Sequence, residues 1–117
     1  MGTRAVSKYY AKKERRGALV FDSIKEARRF DELLLLLRAG EIKDLRLQQE
    51  YTLMEAFTNL DGTKIKAIRY RADFVYQEKT KDGWRFVVED VKGFKTREYE
   101  LKKKLMADRF GITVREV

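Results

Sequence analysis

Apolar residues recur at helical spacing in the first third of the chain, between Ser23 and Arg38. The members of this stripe are Ile24, Ala27, Phe30, Leu33, Leu34 and Leu37. Gly40 follows where a C-terminal cap is expected, so the pattern predicts a helix over residues 23–38. Leu35 and Leu36 fall outside the stripe, and we expect either a second element or a dimer interface to cover them.

The middle of the chain alternates between apolar and polar residues, a pattern typical of strands. Three segments show it: 44–57, 64–77 and 84–92. Asp61-Gly62 is a strong turn signal between the first two, and residues 79–83 form a second turn. We therefore expect three antiparallel strands in a meander. In the second strand, alternation predicts one face with Ile68, Tyr70, Ala72, Phe74 and Tyr76.

The last third predicts a second helix and a short strand. Thr96 is suited to cap a helix that ends near Phe110, Gly111 terminates it, and residues 112–114 form the strand. The element order is αβββαβ, which predicts an α/β (mixed α+β) domain over residues 19–117 with a mixed sheet flanked by helices. Residues 1–18 are basic and lack periodicity. We therefore expect an N-terminal arm that becomes ordered only on binding a partner; the alternative is a tail that stays solvated.

Composition narrows the chemistry. The 117 residues suit one domain, and 27 Lys and Arg against 19 Asp and Glu give a net charge of +8. This balance favours polyanionic partners such as DNA. Because the chain has no Cys and no His, a thiolate nucleophile, a zinc finger and a histidine base are excluded. Hydrolysis would have to use carboxylates, Lys or Tyr with a hard cation, Mg²⁺ or Mn²⁺. No apolar run is long enough to span a membrane, so we expect a soluble, cytoplasmic protein.

A candidate site lies at the end of the third strand. Trp84, Phe86 and Val88 alternate on one face, and the next two residues on that face are Asp90 and Lys92. An apolar face that turns polar indicates a pocket. Asp73, on the preceding strand, can lie near the Asp90 end of this strand if the hairpin closes around residues 79–83.

A divalent ion would relieve the repulsion between these two carboxylates. We expect Asp73, Asp90 and the backbone carbonyl of Val91 to hold it, with Lys92 orienting or deprotonating the attacking water. The alternative is that Asp90 and Lys92 form only a salt-bridged, surface strand end.

Two further polar residues have open interpretations. Glu26 lies at the N-terminal end of the helical stripe and could point at the sheet, but Ser23 to Glu26 also has the form of a capping box. Of Gln48 and Gln49, one must face the same side of the sheet as the acids. The alternative is that this glutamine is only an exposed polar strand residue.

Two basic groups could follow a phosphate backbone, although a charge run on a helix is usually a solvated face. The first group, in the arm, contains Lys8, Lys12, Lys13, Arg15 and Arg16. The second, around the second helix, contains Lys95, Arg97 and Lys103, together with Lys102 and Lys104.

Several of these motifs, in this order, resemble a family of short phage- and prophage-encoded proteins grouped with the PD-(D/E)XK endonucleases. The motifs are Phe21-Asp22-Ser23, Glu26-Ala27-Arg28-Arg29, Leu45-Arg46-Leu47-Gln48, Tyr70-Arg71-Ala72-Asp73-Phe74 and Val88-Glu89-Asp90-Val91-Lys92-Gly93. The resemblance covers roughly residues 8–117, and αβββαβ is also the core order of that superfamily, with its restriction-endonuclease-like fold.

The resemblance implies roles for five residues. Asp73 would be the first motif acid, Asp90 and Lys92 the second motif, Glu26 the helix acid and Gln48 an accessory residue. Ala72 replaces the proline that precedes the first acid in the family pattern. Glu89 could compete with Asp90, but the two-residue spacing to Lys92 selects Asp90.

The function implied is that of a Mg²⁺-dependent DNA endonuclease in phage recombination, replication or packaging, in the cytoplasm of an infected or lysogenic bacterial cell. A single site in so small a domain would require a homodimer to cut two strands, as in resolution of four-way junctions, while nicking and flap cutting fit equally well. The alternative is a non-catalytic nucleic-acid-binding protein that retains the fold. A third interpretation is a structural protein that assembles through the leucine run.

Overall fold

The computed structural model describes residues 12–117, which form a mixed α/β protein with two helices and a mixed four-stranded sheet. The predicted fold class is confirmed. The chain divides into two compact units, one ending at Ile42 and the other comprising Lys43–Val117. No helix in the described part of the chain is long and apolar enough to cross a membrane.

The N-terminal unit begins with an antiparallel hairpin of β1 (Glu14–Arg16) and β2 (Leu19–Phe21). The helix α1 (Ile24–Arg38) follows, and the rings of Phe21 and Phe30 lie 5.0 Å apart. Regular structure therefore starts before the boundary that we expected at residue 18, which falls in the turn of this hairpin. The strands are too short for the alternation to be recognised.

Helix α1 begins as predicted, with the Oγ of Ser23 accepting a hydrogen bond of 3.0 Å from the backbone N–H of Glu26. Its buried face consists of Glu26, Ala27, Phe30 and Leu33. The expected stripe is too long by one turn, because Leu37 is exposed together with Leu35 and Leu36.

The sheet has the strand order β3-β6-β7-β8, formed by β3 (Ile42–Met54), β6 (Ile68–Thr80), β7 (Gly83–Asp90) and β8 (Arg115–Glu116). The first two strands are shorter at their facing ends than predicted. The intervening residues form a separate small hairpin, β4 (Phe57–Thr58) with β5 (Lys64–Ile65), which closes the expected Asp61-Gly62 turn.

Strands β6 and β7 are antiparallel and pair from Thr80↔Gly83 to Phe74↔Glu89, so the turn between them lies where it was predicted. Strand β8 is parallel to β7 and pairs Glu89↔Arg115 and Asp90↔Glu116. The last strand therefore lies at residues 115–116, and the prediction of residues 112–114 is wrong.

Helix α2 (Arg97–Phe110) has the predicted ends. The Oγ1 of Thr96 accepts from the N–H of Tyr99 at 3.0 Å, and Gly111 ends the helix in the left-handed conformation with φ 68°. Glycine adopts that conformation without a steric cost.

The core of the C-terminal unit lies between α2 and the sheet. Its buried members are Leu53, Tyr70, Ala72, Val75, Val88, Tyr99, Met106 and Val114. It takes Tyr70 and Ala72 from even positions of β6 but Val75 from an odd one, so the strand changes phase between them. The prediction that one face of this strand carries Tyr70 and Ala72 together with Phe74 and Tyr76 is therefore wrong. Trp84 and Phe86 are also more exposed than expected, at 41% and 54%.

Candidate active site

The structure brings Asp73 and Asp90 together. Asp73 lies on β6 beyond the last β6–β7 pair, Phe74↔Glu89, and Asp90 is the last residue of β7. The change of phase in β6 directs Asp73 to the side of the sheet on which Asp90 lies, and the two carboxyl groups are within hydrogen-bond distance. The hairpin thus produces the predicted pair of acids.

Asp90 is 2% exposed and Asp73 is half-buried. Asp90 is therefore not a surface charge, although the salt bridge to Lys92 that the alternative interpretation expected at this strand end is present. Burial is the main cause that raises the pKa of Asp73 to about 7, and the hydrogen bond and the charge of Asp90 act in the same direction. The N–H of Val91 and the ammonium of Lys92 oppose the shift. At neutral pH Asp73 is therefore about half protonated, beside the carboxylate of Asp90.

Lys92 contacts the pair from the end of β7. Its Nζ lies 3.3 Å from Oδ1 of Asp90 and 4.1 Å from the centre of the Tyr99 ring. The Tyr99 hydroxyl donates to Oε2 of Glu116 at 2.7 Å, which fixes the ring under the ammonium. Lys92 thus combines an ion pair with a cation–π contact.

Two donors to the acids were missed by the sequence analysis. The buried hydroxyl of Tyr70 donates to Oδ2 of Asp90, and the N–H of Val91 donates to Oδ2 of Asp73 at 2.8 Å. Burial and the bond to Asp90 raise the pKa of Tyr70, so its hydroxyl stays a donor. Strand alternation had marked Tyr70 only as a core residue, and no motif distinguishes a tyrosine that reaches a carboxylate from one that packs.

Gln48 is the glutamine on the side of the acids. Its Nε2 lies 3.4 Å from Oδ1 of Asp73, whereas Gln49 lines a different pocket. Gln48 has a φ of 55°, in the left-handed region that a non-glycine residue seldom adopts. Such strain within a strand is typical of functional sites, where it redirects a side chain.

Glu26 lies in the N-terminal unit, in the first turn of α1, and is 6% exposed. Its backbone N–H donates to the Oγ of Ser23, which is the serine contact of the expected capping box. A buried carboxylate is uncommon in a capping residue, and a role of Glu26 in the site stays a prediction.

Glu89 belongs to a different polar network. It is fully buried and accepts a hydrogen bond of 2.6 Å from the hydroxyl of Tyr76. Arg115, the residue that pairs with Glu89 across β7 and β8, forms an ion pair of 2.8 Å with Glu78. This pair is the main reason why the pKa of Glu78 falls to about 2. The choice of Asp90 over Glu89 fits this arrangement, because Asp90 is the acid that forms the ion pair with Lys92, while Glu89 accepts from Tyr76.

The oxygen atoms at this site are of the type that binds a divalent cation. Asp73 and Asp90 supply carboxylate oxygens, and a cation can replace the proton that Asp73 carries about half of the time at neutral pH. The carbonyl of Val91 stays a predicted third ligand. In the described residues no group of three or more Asp or Glu side chains is arranged to hold a metal ion. The two carboxylates are thus the part of the predicted metal site that the structure brings together.

Four of the eight predicted DNA-contacting cations are paired within the protein. Lys13 pairs with Asp22 at 3.2 Å and Arg16 with Asp31 at 2.9 Å. Lys95 and Lys103 lie 2.8 and 3.2 Å from the carboxylate of Glu116, and Lys95 contributes most to lowering the pKa of Glu116 to about 2. The remaining members are Lys12 and Arg15 near the start of the hairpin, Arg97 in the first turn of α2, and Lys8, which lies outside the described residues.

This chain combines a mixed α/β fold with a pair of acids, of which Asp90 is buried, and with a lysine beside them. It belongs to the family described as "Protein of unknown function (DUF1064)", whose match covers residues 6–116. No curated protein and no solved structure matches the chain significantly. The family description names no activity, so any functional argument rests on the geometry of the site.

Proposed function

We propose that this protein is a metal-dependent DNA endonuclease of the PD-(D/E)XK kind, which hydrolyses phosphodiester bonds with Mg²⁺ or Mn²⁺. The observation that carries the proposal is the meeting of Asp73, Asp90 and Lys92 at one end of the β6–β7 hairpin. A buried acid beside a half-buried one is costly to fold, and groups with shifted pKa values such as Asp73 are concentrated at functional sites.

The protein's own side chains supply positioning and charge. Lys92 would stabilise the negative charge that develops on the phosphate, and the Tyr99 ring holds its ammonium in place. Tyr70 and Gln48 fix the orientations of Asp90 and Asp73. A bound divalent ion would supply a polarised phosphate and a more acidic water. The family resemblance implies a further acid for this activity, Glu26.

The substrate and setting are further parts of this proposal. The net charge of +8 supports a polyanionic substrate. A homodimer that resolves four-way junctions in phage recombination would account for one site per chain, and the cytoplasm of an infected or lysogenic bacterium is the matching location.

A plasmid assay tests the activity. Purified protein is incubated with supercoiled plasmid and with a synthetic four-way junction, in Mg²⁺, Mn²⁺ or EDTA. We expect cleavage that requires the metal and is lost in Asp90→Ala and Lys92→Ala. Lys81→Ala, an exposed lysine in the turn at the other end of the β6–β7 hairpin, is the matched control and should cleave at the rate of the unaltered protein.

A specific observation favours a second function, that of a non-catalytic nucleic-acid-binding protein. Among the described residues no buried polar side-chain atom lacks a hydrogen-bond partner, so the acid pair is satisfied without a ligand. Metal-independent DNA binding with no cleavage of either substrate would support this function and rule out the nuclease. Failure to bind DNA at low salt would rule out both.

A further inference from the structure

An open pocket of about 300 Å³ lies beside the acid pair in the C-terminal unit. Its wall is formed by β6, the end of β7 and the first turns of α2. The lining residues that carry charge are Arg71, Asp90, Lys92, Glu98 and Lys102, and Tyr70, Thr96 and Tyr99 complete the wall. The pocket therefore connects the site of the proposed chemistry with solvent.

The cations of this pocket differ in how they are held. Lys92 is paired with Asp90, and Lys102 lies 2.9 Å from Glu98, whose carboxylate is largely exposed. Arg71 is exposed and forms no ion pair with any residue of the described 12–117 range. The pocket thus offers one uncommitted guanidinium, and one lysine whose partner is easily displaced.

The backbone adds to the positive potential. Thr96 caps α2 and lines the pocket, so the N-terminal end of the helix faces this space. The first N–H groups of a helix have no acceptors within it, and the helix dipole favours an anion there. A guanidinium, an ammonium and a helix N-terminus are the groups that bind phosphate oxygens in proteins.

We propose that Arg71 and Lys102 form a phosphodiester-binding subsite for the DNA backbone, next to the phosphate held at Asp90 and Lys92. This inference deepens the proposed function and rests on it for the identity of the polyanion. Arg71 would bind two phosphate oxygens through its planar guanidinium. Lys102 would leave Glu98 to contact the same group.

The proposal assigns opposite effects to two neighbouring side chains. Removing Arg71 takes away a phosphate ligand. Removing the charge of Glu98 takes away a competitor for Lys102 and a negative charge at the mouth of the pocket. The first change should weaken DNA binding and the second should strengthen it. A general effect of net charge cannot distinguish Arg71 from Arg69, which is also exposed, lies two residues earlier on β6 and does not line the pocket.

Binding is measured by fluorescence anisotropy with a labelled DNA duplex in EDTA, over a range of salt concentrations, so that cleavage plays no part. We expect Arg71→Ala to bind about tenfold more weakly than Arg69→Ala, with the slope of log K against log[salt] smaller by about one in magnitude. Lys102→Ala should bind more weakly than Lys81→Ala, which removes an exposed lysine of the β6–β7 turn that does not line the pocket. Glu98→Gln should bind more tightly than the unaltered protein. Arg71→Lys keeps the positive charge but loses the planar guanidinium with its paired N–H donors. Its DNA affinity should lie between those of Arg71→Ala and the unaltered chain.

Equal losses in Arg71→Ala and Arg69→Ala would overturn the subsite, and so would weaker binding by Glu98→Gln. If Arg71→Ala lowered the affinity for inorganic phosphate but bound DNA as tightly as Arg69→Ala, the pocket would be a site for free phosphate and the DNA subsite would be rejected. The proposed nuclease is judged separately by plasmid cleavage. DNA binding with the expected ranking but without cleavage would reject the enzyme and retain the subsite.

Discussion

The hydroxyl of Tyr70 donates a hydrogen bond to Oδ2 of Asp90, although the two residues lie 20 positions apart on neighbouring strands. The other oxygen of the same carboxylate lies 3.3 Å from the ammonium of Lys92. Asp90 is thus held from two sides, and its orientation depends on a tyrosine that the sequence pattern assigns to the core.

Tyr70→Phe should lower the free energy of unfolding by about 1–3 kcal/mol, because a buried carboxylate loses a donor. The pH below which cleavage declines should also be higher in this variant. Without the Tyr70 donor, the negative charge of Asp90 is less stabilised, so the site holds a proton more tightly and loses it at a higher pH. Urea denaturation and a pH–rate profile measure the two effects. Tyr51→Phe is the control: that hydroxyl has no hydrogen bond to a described residue, so stability should change by no more than about 0.5 kcal/mol. An unchanged pH profile in Tyr70→Phe would contradict its positioning role.

The acid pair should make the protein less stable as the pH rises. Folding raises the pKa of Asp73 from 3.8 to about 7, so the folded chain keeps a proton that the unfolded chain has lost. This contribution to stability is fully present below the unfolded pKa and is lost as the pH approaches 7. Asp73→Asn should therefore be more stable than the unaltered protein at pH 8 by roughly 1–3 kcal/mol, and it should abolish cleavage.

Urea denaturation between pH 4 and 8 measures this effect. The control is Asp61→Asn, because hydrogen bonds from Thr63 lower the pKa of Asp61 and give the opposite sign. That variant should lose stability at neutral pH and match the unaltered protein in acid. A stability difference for Asp73→Asn that does not vary with pH would show that folding does not raise the pKa of Asp73.

Glu89 and Asp90 are adjacent, and substitutions separate their roles. Glu89→Gln should keep most of the cleavage activity but lower stability, because the Tyr76 hydroxyl donates to that carboxylate inside the protein. Asp90→Asn should reduce cleavage by about a hundredfold or more. Plasmid cleavage and thermal denaturation distinguish them, and the reverse pattern would assign the proposed metal ligand to Glu89.

The two interpretations of Glu26 can be separated by comparing it with Ser23. Ser23→Ala removes the side-chain cap and should cost about 1 kcal/mol without changing the metal dependence of cleavage. Glu26→Gln keeps the helix start, so a ligand role predicts weaker Mn²⁺ affinity with little loss of melting temperature. Titration of cleavage with Mn²⁺ measures this. An unchanged Mn²⁺ dependence together with a lower melting temperature would leave Glu26 as a capping residue only.

The helices could be predicted closely because their ends depend on local chemistry. Ser23 and Thr96 cap the first turns, and Gly111 ends α2 with a positive φ, all through contacts within a few residues. Strand limits were less accurate. A ladder ends where its partner strand ends, so the last strand formed at Arg115–Glu116 beside β7 and the residues before it stayed outside the sheet.

The sequence by itself determined the order of the two helices and of the four strands of the main sheet, the absence of Cys and His chemistry, and the two-residue spacing of Asp90 and Lys92. Only the tertiary structure decided which groups complete the site. The change of phase in β6 places Asp73 beside Asp90, and the positive φ of Gln48 accompanies its contact with Asp73. Strand periodicity cannot predict either feature. A local departure from regular strand geometry depends on the pairing and packing of the whole sheet, and the periodic pattern of a single strand does not contain that information.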